Sequence, residues 1–190
     1  MGIIGAEGIA LRFAEEARFV SGLELAGIYE TDARKDQEHY IAGMLQVREY
    51  EGLDALLQDV DAVYVAAPPI HHAAYIRQAL EQKKHVLVEY PAFFTAHEAE
   101  ELYALAKEKQ VLLFHGLKTA YCPAFQRLVS MAKSGMIGNI LSVDANFTRV
   151  LGNQLQERCR EASGGSMMAL GEYPLLAFFK LLGLDFRKIA

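Results

Sequence analysis

The chain has 190 residues with a formal net charge of −5, 52% apolar and 23% charged side chains, and five prolines. That length accommodates one large domain or a domain with a second, smaller unit, and the apolar share supplies a packed core rather than a disordered chain. A pI near 5.7 and the lack of any Lys/Arg run argue against nucleic acid, which needs clustered cations to hold phosphates. The two cysteines, Cys122 and Cys159, share no metal-type spacing, so reduced thiols and no metal site are expected. No apolar run approaches the roughly 20 residues of a membrane helix, which excludes a membrane partner of that kind, and a cytoplasmic location is expected.

In chain order, short apolar runs alternate with amphipathic stretches. Strands are predicted at Met1 to Ile4, Leu23 to Tyr29, weakly at Gln46 to Arg48, and at Ala62 to Ala66, His85 to Val88 and Val111 to His115. Between them, helical periodicity covers Gly8 to Val20, Ala33 to Gly43, Leu53 to Gln58, His71 to Gln82 and Thr95 to Lys109. Strands apolar on both faces, each followed by a helix, predict a Rossmann-like, doubly wound α/β domain with a parallel sheet over residues 1 to 120. Pro68, Pro69 and Pro91 directly follow their strands, where a missing N–H costs little.

Beyond Gly116 the pattern changes. A helix at Cys122 to Lys133, a turn at Ser134 to Gly138, one long strand at Ile140 to Thr148 and an apolar helix at Gly164 to Leu182 are predicted. One strand cannot make a sheet, so residues 121 to 190 read as a partial carboxy-terminal α/β domain, incomplete or dependent on a partner chain, and the exposed strand points to a homodimer or higher homo-oligomer. Met167, Met168, Phe178 and Phe179 read as core.

The run Gly5-Ala6-Glu7-Gly8-Ile9-Ala10 leaves a strand and opens a helix, which is the context of a dinucleotide loop. Gly5 suits the tight turn and Ala10 the close packing of helix on strand. Glu7 stands where a second glycine would admit pyrophosphate, and its charge opposes the anion that a helix amino terminus attracts. Weak or absent dinucleotide binding is therefore expected. Glu30, with Asp32 behind it, sits where a carboxylate bonds the adenosine ribose and favours NAD over NADP; capping of the next helix is an equal alternative.

Three further stretches carry a resemblance. Asp61 to Pro68 followed by His72, Lys84 to Ala92 including Glu89-Tyr90-Pro91, and Gly164 to Pro174 stand in an order that resembles the Gfo/Idh/MocA oxidoreductases, the glucose-fructose oxidoreductase and inositol dehydrogenase family. Tyr121-Cys122-Pro123-Ala124 and Gly135 to Gly138 continue it. The resemblance implies an NAD(P)-binding domain followed by an α/β domain whose open sheet mediates oligomerisation, and oxidation or reduction of a sugar, an inositol or a related small polyol or carbonyl substrate. By the same resemblance Gly5, Ala6, Glu7, Gly8, Ile9, Glu30, Ala67, Pro68, His72 and Glu89 are the cofactor-binding candidates.

The family's usual Glu-Lys-Pro lysine is replaced by Tyr90, and its late Asp by Ala169, while Tyr173 holds the family's His/Tyr position. Tyr90, Lys118 and Tyr173 are thus the catalytic candidates that remain. A relative that has kept the fold to bind a nucleotide or metabolite without catalysis, as a sensor, regulatory partner or dimerising scaffold, is the alternative.

Overall fold

The computed structural model describes residues 1–6, 8–30, 35–150 and 165–185, the side chains of 35–38 excepted. Two compact units divide it, residues 1–116 and 117–190. The first is a six-stranded, wholly parallel sheet in the order β3-β2-β1-β4-β5-β6, formed by β1 (Gly2–Ile4), β2 (Gly27–Tyr29), β3 (Arg48–Glu49), β4 (Ala62–Val65), β5 (His85–Val88) and β6 (Leu113–His115). Helices α1 (Gly8–Ala17), α2 (Lys35–Leu45), α3 (Leu53–Asp59), α4 (His72–Glu81) and α5 (Ala96–Lys109) make the crossovers. The strand order reverses between β1 and β4, and in such sheets ligands bind at the carboxyl ends of the strands beside that switch point.

The alternation of each strand divides the core between two faces. Ile3, Ile28 and Tyr64 pack with Ala10 and Ala14 of α1 and Ile41 of α2. Ile4, Val63, Val65, Val86 and Val88 pack with Leu56, Leu57, Ile76, Leu80 and Leu102 from α3, α4 and α5. Each fully buried Leu or Ile contributes about 1.5–3 kcal/mol. The alanines of α1 let that helix approach the sheet closely, which brings its amino terminus to the end of β1. Thr95 starts α5 by accepting the Glu98 N–H at 3.1 Å, and Glu98 in turn accepts the Phe94 N–H at 2.9 Å.

The second unit has a 3-10 turn at Lys118–Tyr121, α6 (Pro123–Lys133), α7 (Ser166–Leu170) and α8 (Glu172–Leu182). Two expectations fail here. Ile140 to Thr148 is not a strand, because extended backbone becomes a strand only when a neighbour supplies a ladder, and among the described residues none runs beside it. The helix expected from Gly164 to Leu182 is two: Pro174 has no N–H to offer the Leu170 carbonyl, and the helix is interrupted at Gly171. Nor are α7 and α8 a sealed core, since Met167 is 64% and Phe179 40% exposed. Cys122 is an exposed free thiol; Glu7, Asp32, Cys159 and Gly164 lie outside the described residues.

Candidate functional site

The loop between β1 and α1 is held from below and from the side. Gly5 has φ +97°, and a Cβ there would stand 2.5 Å from the Ala67 backbone nitrogen, so only glycine fits this turn. The Gly5 N–H donates to the Tyr29 carbonyl at 2.8 Å and the Ala66 N–H to the Ile4 carbonyl at 2.8 Å, which ties the loop to β2 and β4. Gly8 is the first residue of α1, and a Cβ there would meet nothing within 4 Å. Ile9 is partly buried against the sheet.

Glu30, immediately after β2, turns its carboxylate back to the glycine loop. It is 3% exposed, and its Oε2 accepts the Ala6 backbone N–H at 2.7 Å. The carboxylate thus anchors the glycine loop from the end of β2. Burial pushes the Tyr75 phenol up to about 12, with Tyr29 and Glu30 adding to the shift, which places Tyr75 of α4 in the same electrostatic neighbourhood.

A second cluster gathers at the ends of β4, β5 and β6. Tyr64 donates its O–H to Glu89 Oε1 at 2.6 Å, and Oε2 of the same carboxylate accepts the Tyr90 N–H at 3.2 Å. Register explains this contact: Tyr64 pairs with Leu87, and Glu89, two residues on, projects from the same sheet face. Burial pushes the Tyr64 phenol well above its ordinary range, and the Glu89 charge adds to that. Tyr90 precedes Pro91 through a cis peptide bond, and its ring stacks with His115 at 6.3 Å between centroids. Burial pushes His115 below the ordinary histidine value, a shift that Glu89 opposes and His72 reinforces.

His72 is 1% exposed, with Nδ1 2.9 Å from the Pro91 carbonyl oxygen and Nε2 2.7 Å from that of Ala67. Its ring therefore bridges two backbone carbonyls, one after β4 and one after β5. Pro68 leads into the 3-10 turn Pro69–His71 that precedes α4.

Of the catalytic candidates, Tyr90 belongs to the first unit, while Lys118 and Tyr173 belong to the second. Tyr173 stacks on Phe147 at 4.2 Å with an interplanar angle of 13°. Its neighbour Glu172 is pushed by burial up to about 7. The Tyr64–Glu89 pair escaped sequence reasoning, although a tyrosine in an otherwise aliphatic buried strand signals a hydroxyl in need of a partner.

The first 117 residues match a family model described as an oxidoreductase family with an NAD-binding Rossmann fold. The chain belongs to the Gfo/Idh/MocA oxidoreductase family. A dTDP-3,4-didehydro-2,6-dideoxy-alpha-D-glucose 3-reductase from Actinomadura kijaniata is 34% identical over 192 residues, spanning 97% of this chain and 56% of that protein. A D-xylose 1-dehydrogenase (NADP(+)) from Hypocrea jecorina is 30% identical over 188 residues, 91% of this chain and 47% of that one. The crystal structure of a 3-ketoreductase from Actinomadura kijaniata in complex with NADP and TDP-benzene aligns with a TM-score of 0.88 at 32% identity, covering 99% of this chain and 58% of that one. This Gfo/Idh/MocA chain thus spans about half the length of the relatives it matches. Among the described residues, no helix is long and apolar enough to cross a membrane, and no group of three metal-ligating side chains occurs.

Proposed function

We propose that this chain is the dinucleotide-binding portion of an NAD(P)-dependent oxidoreductase acting on a sugar, an inositol or a related small polyol or carbonyl compound. The observation that carries the reading is the loop at the end of β1: Gly5 turned against Ala67, an exposed Gly8 at the start of α1, and the Glu30 carboxylate bonded to Ala6. The residues fit a dinucleotide. Gly5, Ala6, Gly8 and Ile9 would hold its pyrophosphate, Ala67 and Pro68 would floor the site, and Glu30 would face the adenosine ribose. Glu7 weakens that grip by its charge.

Glu30 favours NAD, because a 2′-phosphate would approach a buried carboxylate. Residues 1–120 serve as the cofactor domain in this reading, and 121–190 contribute to a substrate and oligomerisation domain of a homodimer or larger homo-oligomer.

When bound, the nicotinamide would accept or donate the hydride. Proton handling then falls to the chain, since oxidation of a carbinol requires a group to take the hydroxyl proton. Tyr173, oriented by its stack on Phe147, is the candidate for that proton. Lys118 is the candidate cation to steady an alkoxide. Tyr90, backed by His115 and with its backbone N–H held by Glu89, stands where the family's lysine would be.

Tyr90 and Ala169 favour a second reading, a relative that binds a nucleotide or metabolite without turning it over. Parallel titrations with NADH and NADPH, followed by turnover assays on an aldose and inositol panel, separate the two. Binding with turnover supports the oxidoreductase, binding alone the second reading, and no binding overturns both as nucleotide functions.

A further inference from the structure

His72 presents an unusual hydrogen-bonding problem. Both of its ring nitrogens lie within hydrogen-bond distance of backbone carbonyl oxygens, 2.9 Å to Pro91 and 2.7 Å to Ala67, in a side chain 1% exposed. A carbonyl oxygen can only accept, so each contact requires an N–H. Neutral imidazole has one. In either neutral tautomer a nitrogen lone pair would face an oxygen lone pair at one of the two contacts, inside a site where water cannot intervene. Only the imidazolium satisfies both.

The two carbonyls matter for where they sit. Ala67 follows β4 and Pro91 follows β5, and those strands are neighbours in the sheet. Ala67 is also the residue against whose backbone nitrogen Gly5 makes its turn, and Pro91 adjoins Tyr90. A shift of either loop would therefore be felt at the candidate phosphate loop or at the residue that replaces the family's lysine.

We propose that His72 is a positioning residue, a buried imidazolium that staples the loop after β4 to the loop after β5 and so fixes the floor of the cofactor site. The consequence for cofactor binding rests on the function proposed above; the staple itself does not. Burial disfavours a cation, and two carbonyl dipoles aimed at its N–H groups offset that cost. The ionisable groups on the surrounding elements are consistent with it. Glu89 at the end of β5 and His72 both act on His115 of β6, which burial holds toward its neutral form. On β4 the Tyr64 phenol is bonded to Glu89. On α5, Glu101 pairs with Arg77 of α4 and Glu98 caps its own helix. On α4 itself, Tyr75 is held protonated and His71 packs edge-on to it.

The protonation state can be read directly, by long-range proton–nitrogen NMR of the histidine rings in the full 15N-labelled chain. The expected result is that Nδ1 and Nε2 of His72 both carry protons, with shifts constant from about pH 6.5, where an ordinary histidine ring is half protonated, to about pH 8, where it is neutral. An unprotonated ring nitrogen at about pH 8 overturns the staple, whether or not the chain binds a dinucleotide.

Its positioning role is read by NADH titration of His72→Leu and His72→Gln. Loss of both donors in His72→Leu is expected to weaken NADH binding at least about tenfold, with an unchanged circular dichroism spectrum. His72→Gln, which keeps one donor, should fall between that variant and the parent. A folded His72→Leu with the parent's NADH affinity overturns the positioning role. If His72→Leu does not fold, unchanged affinity in His72→Gln does so. Absence of NADH binding in the parent chain overturns the proposed function and with it the positioning role, and leaves the staple to the NMR result.

Discussion

Glu30 Oε2 accepts the backbone N–H of Ala6 at 2.7 Å, across 24 residues of sequence and with the carboxylate 3% exposed. One bond thus joins the residue that would read the ribose to the loop that would hold the pyrophosphate. Substitution should separate the two roles. Glu30→Gln keeps a carbonyl acceptor for Ala6 and removes the charge, so stability should change little while any preference for NADH over NADPH shrinks. Glu30→Ala leaves the Ala6 N–H buried without its acceptor and should cost about 1–3 kcal/mol, measured by urea unfolding. Equal stability of the two variants would remove the anchoring role.

Tyr64 and Glu89 make a further, partly buried polar contact of the first unit. Tyr64→Phe keeps the stack on Phe13 and deletes the hydroxyl, leaving Glu89 Oε1 without this donor. A destabilisation of about 1.5–3 kcal/mol is expected, as for hydrogen bonds to charged groups, with the urea midpoint lowered and the slope of the transition unchanged. The cost should shrink in a Glu89→Gln background. A double-mutant cycle with no coupling would contradict the assignment.

Glu172 makes stability depend on pH. Its folded value is raised to about 7 from the ordinary 4.5, so the protonated carboxyl is the form the folded chain prefers. The associated stability is fully present below the unfolded value and is lost as pH rises through about 7. Because the side chain is only half buried, water screens the effect, and about 1 kcal/mol is expected between pH 5 and pH 8. Unfolding of the parent and Glu172→Gln at both pH values checks this: the parent should lose more stability on going to pH 8 than the variant. Identical slopes would contradict it.

Catalysis should be slow in the chain as it stands, since Tyr90 and Ala169 replace a cation and a carboxylate of the family pattern. Each missing group of this kind costs about 10²-fold in turnover. Tyr90→Lys is expected to raise NAD(P)H turnover on aldoses or inositols, and the pair Tyr90→Lys with Ala169→Asp to raise it further. Rapid turnover by the unaltered chain would show that other side chains already do this work.

Much of the first unit was legible because its information is local. Val63, Val65, Val86 and Val88 are apolar where both faces are covered, and Thr95-Ala96-His97-Glu98 announces the start of α5. The Gly5 turn could be read from its place after a strand. What escaped depends on partners far away in the chain. Leu23 to Ala26 has strand-like residues yet precedes the ladder, which begins at Gly27 opposite Gly2. Ile140 to Thr148 has the alternation of a strand and no paired strand among the described residues. Glu30 gives no local sign that its carboxylate will turn back 24 residues to Ala6. His72 was visible as a candidate ligand contact, while its bonds to Pro91 and Ala67 depend on the fold that brings two loops together.

Cofactor binding is tested most simply by calorimetric titration of the chain with NADH and, separately, NADPH. Saturable one-to-one binding of NADH is expected, weaker than about 10 μM because of Glu7 yet measurable below about 1 mM, and tighter than that of NADPH because of Glu30. No saturable binding of either dinucleotide up to about 1 mM would contradict the proposed function, and tighter binding of NADPH would contradict the role given to Glu30.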